Sequence, residues 1–176
     1  MAATIANALQ RVRGVFARRP DVAMHTDEPV IALWEQGLRV VCGLADGAHI
    51  ATDMPRELGG RGDEVTPGWL MRAALASCLA TRIAMEAAAR EMVITRLEVV
   101  ASSESDARGL LGMSDDAGRP LPPEPRNVRL QVSIAATDVA TEVLKTMVQD
   151  SYRYSPVSAA IERAVPIELR VEVDPG

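Results

Sequence analysis

One stretch constrains this chain more than any other: Thr66 to Met92, TPGWLMRAALASCLATRIAMEAAAREM. It predicts a single long helix. Thr66 suits the N-cap, where its side chain can accept a backbone N–H bond, and Pro67 suits the first helical position, where no N–H is needed. Gly68 is the one weak helix former near the start. Leu70, Met71, Ala73, Leu75, Leu79 and Ile83 go most of the way round the helix rather than forming one stripe, which predicts a buried helix. Arg72 and Arg82 interrupt the apolar run, so it is too short to cross a bilayer. A single thiol, Cys78, lies near the middle. The rest of the fold must wrap this helix, and any chemistry is expected at that sulfur.

The core has to be aliphatic, because only 3% of residues are aromatic while 48% are hydrophobic. A length of 176 residues suits one domain with a real core. The net charge of −5 and the lack of interleaved basic and aromatic residues argue against a nucleic-acid partner. Two cysteines do not make a disulfide scaffold. Arg11, Arg13, Arg18 and Arg19 break up the N-terminal segment, so no secretory signal is read there and a reducing cytoplasm is expected.

Residues 1–20 read as an amphipathic helix, with Ile5, Leu9, Val12 and Phe16 opposite the arginines. Its apolar face is small for a membrane anchor, so docking on its own protein or on a partner subunit is expected, without membrane insertion. Residues 21–176 form the single domain that follows. Val30 to Leu33, Leu38 to Leu44 and His49 to Asp53 read as a meander of short strands. A Gly-rich loop follows, Arg56 to Asp63. It lacks the G-x-x-x-x-G-K-S/T pattern of a phosphate cradle. Asp53, Glu57 and Asp63 are expected to solvate it.

Beyond the central helix, Val93 to Ala101 and Val128 to Ala135 alternate as half-buried strands. The long connection between them, Ser102 to Asn127, is Pro-rich at its end. Thr137 is placed as the cap of a second helix running to about Tyr152. Ser155-Pro156 then starts a short helix to Ala164. The cleanest alternation is the last, with Ile167, Leu169, Val171 and Val173 inward and Glu168, Arg170 and Glu172 outward. Strands, a long helix, two strands, two helices and a strand make an α+β chain.

Three local features align. Asp53-Met54-Pro55-Arg56-Glu57-Leu58-Gly59-Gly60 precedes the helix, Ala73 to Cys78 fills its middle, and Ser155-Pro156-Val157-Ser158 opens a later short helix. The series resembles the OsmC/Ohr superfamily of osmotically inducible and organic hydroperoxide resistance proteins, over roughly residues 37–173. The resemblance implies an antiparallel sheet around a long buried central helix and an intertwined homodimer. It also implies reduction of peroxides by two cysteines, with an Arg and a Glu holding the first thiolate reactive. Carried over, the peroxidatic position falls on Cys78. The resolving position falls on Ser155, a hydroxyl that cannot close a disulfide. The Glu position falls on Gly68, and Arg39 is the nearest candidate for the Arg.

The residues themselves leave two readings open. Cys78 lies about three turns into its helix, too deep to gain much from the helix dipole. A reactive thiolate there needs a cation, and Arg82, four residues on, shares its face. One reading is a one-cysteine thiol peroxidase: Cys78 attacks a small hydrophobic hydroperoxide, becomes a sulfenic acid and is regenerated by an external thiol. The other is a non-catalytic homodimer whose apolar pocket binds a small hydrophobic ligand or serves assembly. An Arg guanidinium on the sulfur would favour the first reading and a dry sulfur the second. Cys42 is read as structural, with an approach to Cys78 left open. His25 and His49 stand apart from any ligand cluster, so no metal site and no cofactor are expected.

Overall fold

The computed structural model describes residues 2–45 and 47–173. The elements in order are α1 (Ala2–Arg18), β1 (Ile31–Gln36), β2 (Arg39–Gly43), β3 (His49–Thr52), α2 (Pro67–Ala89), β4 (Ile94–Glu104), α3 (Ala107–Leu110), β5 (Arg126–Ala136), α4 (Thr141–Arg153) and α5 (Pro156–Glu162). The fold is α+β, with two small antiparallel sheets among the described residues, β1-β2-β3 and β4-β5.

α2 starts where the sequence places it. The Thr66 hydroxyl oxygen accepts the Trp69 N–H at 3.2 Å, and Pro67 takes the first turn. It stops before Met92. Glu91 turns left-handed at φ +57°, and the Glu91 and Met92 N–H groups donate back to the Ala88 and Ala87 carbonyls. That pair of bonds is a Schellman closure without its usual glycine.

The helix does not bury all its faces within one chain. Leu75, Leu79, Ile83 and Ala87, each four residues apart, form the buried ridge, while Trp69, Ala74, Ser77 and Thr81 are exposed. The ridge meets Leu144 and Met147 of α4, and the inward side chains of β4 and β5 close over the cluster. The β4-β5 register explains that cover, since Leu97 faces Ile134 and Val99 faces Val132. α1 packs along α2.

The sequence reading needs three corrections here. α4 begins at Thr141, not Thr137, because the Thr137 N–H is engaged by the Val93 carbonyl at 3.0 Å and Asp138 takes φ +55°. β4 and β5 both run further into the connection than expected, pairing out to Glu104 and Arg126. The final strand does not form among the described residues. Residues 167–173 pair with no strand among the described residues, and Ile167 is 93% exposed and Leu169 84%. Alternation prepares a strand, but a ladder needs a neighbouring edge, and the described chain brings none to this segment.

The chain enters α2 through a closed loop. The Asp53 N–H donates to the Val65 carbonyl at 3.0 Å, so the two ends of residues 53–65 meet just before the cap. Gly60 is required inside that loop, because a Cβ there would sit 1.8 Å from the Met54 carbonyl oxygen.

Candidate active site

Cys78 lies midway along α2, half-buried and free, as is Cys42 on β2. Cys42 is paired across its sheet with Ala32 and Ile50 and forms no disulfide. What reaches the Cys78 sulfur comes from the other end of the chain. α4 ends at Arg153, Tyr154 caps it, and Ser155-Pro156 restarts the backbone as α5. Pro156 supplies the first turn of α5, and the preceding residue is held extended, which aims the Ser155 side chain inward. The Ser155 hydroxyl donates to the Cys78 sulfur at 3.3 Å. The Ser158 hydroxyl, one turn on, donates to the Ser155 oxygen at 3.1 Å. Ser155 is wholly buried and Ser158 nearly so. Ser158 is a member of this site that the sequence reading did not assign. Its signal was the three-residue spacing from Ser155 on a helix start.

Neither candidate arginine reaches the sulfur. Among the described residues no guanidinium donates to Cys78. Arg82 shares the thiol's face but turns the other way, onto Glu86 at 2.9 Å and over the Tyr154 ring at 5.8 Å. Its contact with the site is indirect, since it braces the residue next to Ser155. Glu86 is shared with Arg90 at 2.8 Å. The Arg90 hydrogen bond, with help from Arg82, outweighs burial and holds the Glu86 carboxyl below its ordinary range.

Arg39 opens β2 and is bound by three carboxylates: Asp63, Glu64 at 3.5 Å and Asp53 at 3.8 Å. The Asp63 bond, opposed by burial, raises its affinity for its proton. Its Nε is buried without a partner. Asp53 corrects the expectation that it solvates the loop. It is 3% exposed, and its carboxylate accepts the Met54 N–H at 2.7 Å and the Arg61 N–H at 3.1 Å. Burial pushes its pKa up, but those two N–H groups and Arg39 push harder, and the net shift is down. At Gly68 the space for a side chain is open, and the nearest atom to a Cβ there is the Arg72 guanidinium, 3.7 Å away. Arg72 itself donates to Ser103.

An apolar groove of about 770 Å³ runs beside the site, between α2, β5, α4 and α5. Leu75, Leu79, Leu130, Val132 and Ile161 form its walls. Its polar lining includes Ser158, Tyr152 and Glu162, and the Tyr152 hydroxyl donates to Glu162. Cys78 does not line the groove, which meets the thiol's hydroxyl chain at Ser158 instead.

The sequence matches the family described as OsmC-like protein over residues 60–170. The chain belongs to the OsmC-like family. That span begins inside the glycine loop and includes both Cys78 and Ser155, while α1 lies outside it. The fold is similar to an OsmC-like protein from Mycoplasma pneumoniae, with TM-score 0.62 and 16% identity over 79% of this chain and 89% of that one. It is also similar to an organic hydroperoxide resistance protein OsmC from Legionella pneumophila, with TM-score 0.53 and 20% identity, covering 78% and 91%. A third likeness is to an organic hydroperoxide resistance protein from Vibrio cholerae with captopril bound in one of its active sites, with TM-score 0.52 and 21% identity, covering 78% and 87%. No curated protein matches the sequence. Among the described residues, no helix of this OsmC-like chain is long and apolar enough to cross a membrane.

Proposed function

We propose that this OsmC-like protein is a one-cysteine hydroperoxide reductase, acting in the cytoplasm as a homodimer. The observation that carries the reading is the bonded pair at its centre: a half-buried thiol on the family's central helix, with the buried Ser155 hydroxyl on its sulfur. The Cys78 thiolate attacks the distal oxygen of a small hydrophobic hydroperoxide. The O–O bond breaks, its electron pair leaves on the alkoxide, and the alkoxide takes a proton to become the alcohol. Cys78 is left as sulfenic acid. Ser155 has no sulfur to give, so two equivalents of an external thiol return Cys78 to the thiol and leave as disulfide and water. The names of the Legionella and Vibrio neighbours support a peroxide substrate. The apolar groove ending at Ser158 supports a hydrophobic one.

The dimer is supported by surface the chain leaves open. The row Ile167, Leu169, Val171, Val173 is unpaired, and β1 exposes Ile31, Leu33 and Trp34 at a sheet edge. The absence of a guanidinium on the sulfur among the described residues favours a second reading, a non-catalytic dimer that binds a small hydrophobic ligand. Treatment with an organic hydroperoxide separates the two. Uptake of one oxygen by intact mass and capture by a sulfenic-acid trap, both lost in Cys78→Ser, are expected. Oxidation no faster than that of a free thiol would transfer the assignment to the ligand-binding reading.

A further inference from the structure

We propose that Ser155 is the group that makes Cys78 reactive, by donating its one hydroxyl hydrogen bond to the thiolate, and that Ser158 is the positioning residue that commits it to that bond. The inference deepens the peroxidase reading and rests on it for its biological meaning.

Its basis is a count of protons and lone pairs. A serine hydroxyl has one hydrogen to give and can accept twice. The Ser155 oxygen already accepts from Ser158 at 3.1 Å, so its own hydrogen points elsewhere, and the sulfur at 3.3 Å receives it. Ser155 is wholly buried and Ser158 is 2% exposed, so water does not compete for either bond. A neutral thiol sulfur is a weak acceptor, whereas a donor–anion bond is about twice as strong as a neutral one. The bond Ser155 offers is therefore stronger to the attacking thiolate than to the resting thiol. Relay through Ser158 adds to this, because bonds in a chain polarise one another. No arginine donates to the sulfur among the described residues, so within the chain the hydroxyl chain is the donor set the thiolate has. A serine at the position where the family resemblance implies a resolving cysteine thus has a role of its own. It gives up disulfide closure and stabilises the attacking sulfur instead.

The fold supplies a matched control. Ser151, one turn before Ser155, is also wholly buried, and its hydroxyl has no partner. Ser151→Ala removes a buried hydroxyl from the same region without touching the sulfur.

The test is alkylation of Cys78 by iodoacetamide as a function of pH, in the full chain carrying Cys42→Ser. In Ser155→Ala the rate near pH 7 is expected to fall about tenfold, in keeping with loss of a hydrogen bond to a charged group. At a pH well above the ordinary thiol value the rates should converge, because the sulfur is then ionised in both proteins. Ser158→Ala should fall in the same direction by about two- to threefold, a smaller loss than that of a full donor bond. Ser151→Ala should match the parent. Rates in Ser155→Ala and Ser158→Ala that both equal those of Ser151→Ala would overturn the proposal. A uniform loss at every pH would do so as well, since it would point to altered access. Alkylation needs no peroxide, so a serine effect on alkylation without peroxide oxidation would sink the peroxidase reading and leave the role of Ser155 standing.

Discussion

The Ser155 hydroxyl meets the Cys78 sulfur at 3.3 Å, across 77 positions of sequence. The side-chain tips of the two residues are already adjacent, so a thiol in place of the hydroxyl would lie beside the Cys78 sulfur. Ser155→Cys is expected to convert the one-cysteine site into a two-cysteine one. Mild peroxide should then remove two hydrogens from the intact mass, and non-reducing peptide mapping should link position 155 to Cys78. Persistence of free thiols at both positions 78 and 155 in the oxidised variant would show that the α4–α5 turn holds position 155 at the wrong angle.

Asp53 ties the loop ahead of α2 to Arg39, and its folded pKa lies below the ordinary carboxylate value of 3.8. A lowered folded pKa contributes stability that is complete above the unfolded value and is lost as pH falls through the folded one. Asp53→Asn should therefore be less stable than the parent at neutral pH, with the gap closing below about pH 4. Urea midpoints measured across that range check the sign. A gap that widened in acid would contradict the carboxylate's role.

Two neighbouring glycines of the same loop make different demands. Gly59 takes φ +88° with open space around it, so Gly59→Ala meets only backbone strain, about 1–2 kcal/mol. Gly60 has the Met54 carbonyl oxygen 1.8 Å from where a Cβ would lie. Gly60→Ala must displace backbone and break the Asp53 turn, so it should cost more than Gly59→Ala, about 3 kcal/mol or above. Thermal melts of the two variants side by side give the order.

Periodicity made α2, β4 and β5 readable because their burial is decided by neighbours within the same layer. The 3.6-residue and 2-residue patterns survive in the buried ridge Leu75-Leu79-Ile83 and in the Leu97–Ile134 and Val99–Val132 pairs. Three things were not readable. The Thr137 side chain suits a cap, but its backbone belongs to a sheet partner, Val93, that no local rule reveals. Asp53 sits among loop residues that look solvated, and its burial depends on the Val65 contact that closes the loop. The Cys78–Ser155 pair has no spacing signature at all. The family resemblance pointed to the two positions, and the hydroxyl chain through Ser158 emerged only with the side chains in place.

Ile167, Leu169, Val171 and Val173 are between 74% and 93% exposed, a row of apolar side chains on a segment with no ladder partner among the described residues. Exposed strands with free N–H and C=O groups seek an edge to pair with, and β1, at the edge of its sheet, exposes apolar side chains of its own. If the second protomer of the proposed homodimer covers this row, a charge there should cost assembly and leave the core of the subunit alone, since Leu144, Met147 and the α2 ridge lie elsewhere. Leu169→Lys is expected to lower the dimer fraction in light scattering at micromolar concentration, whereas a charge on the outward side, Glu168→Lys, should not. A dimer unaffected by Leu169→Lys would place the subunit interface on another surface, the exposed flank of α2 at Trp69, Ala74 and Thr81 being next in line.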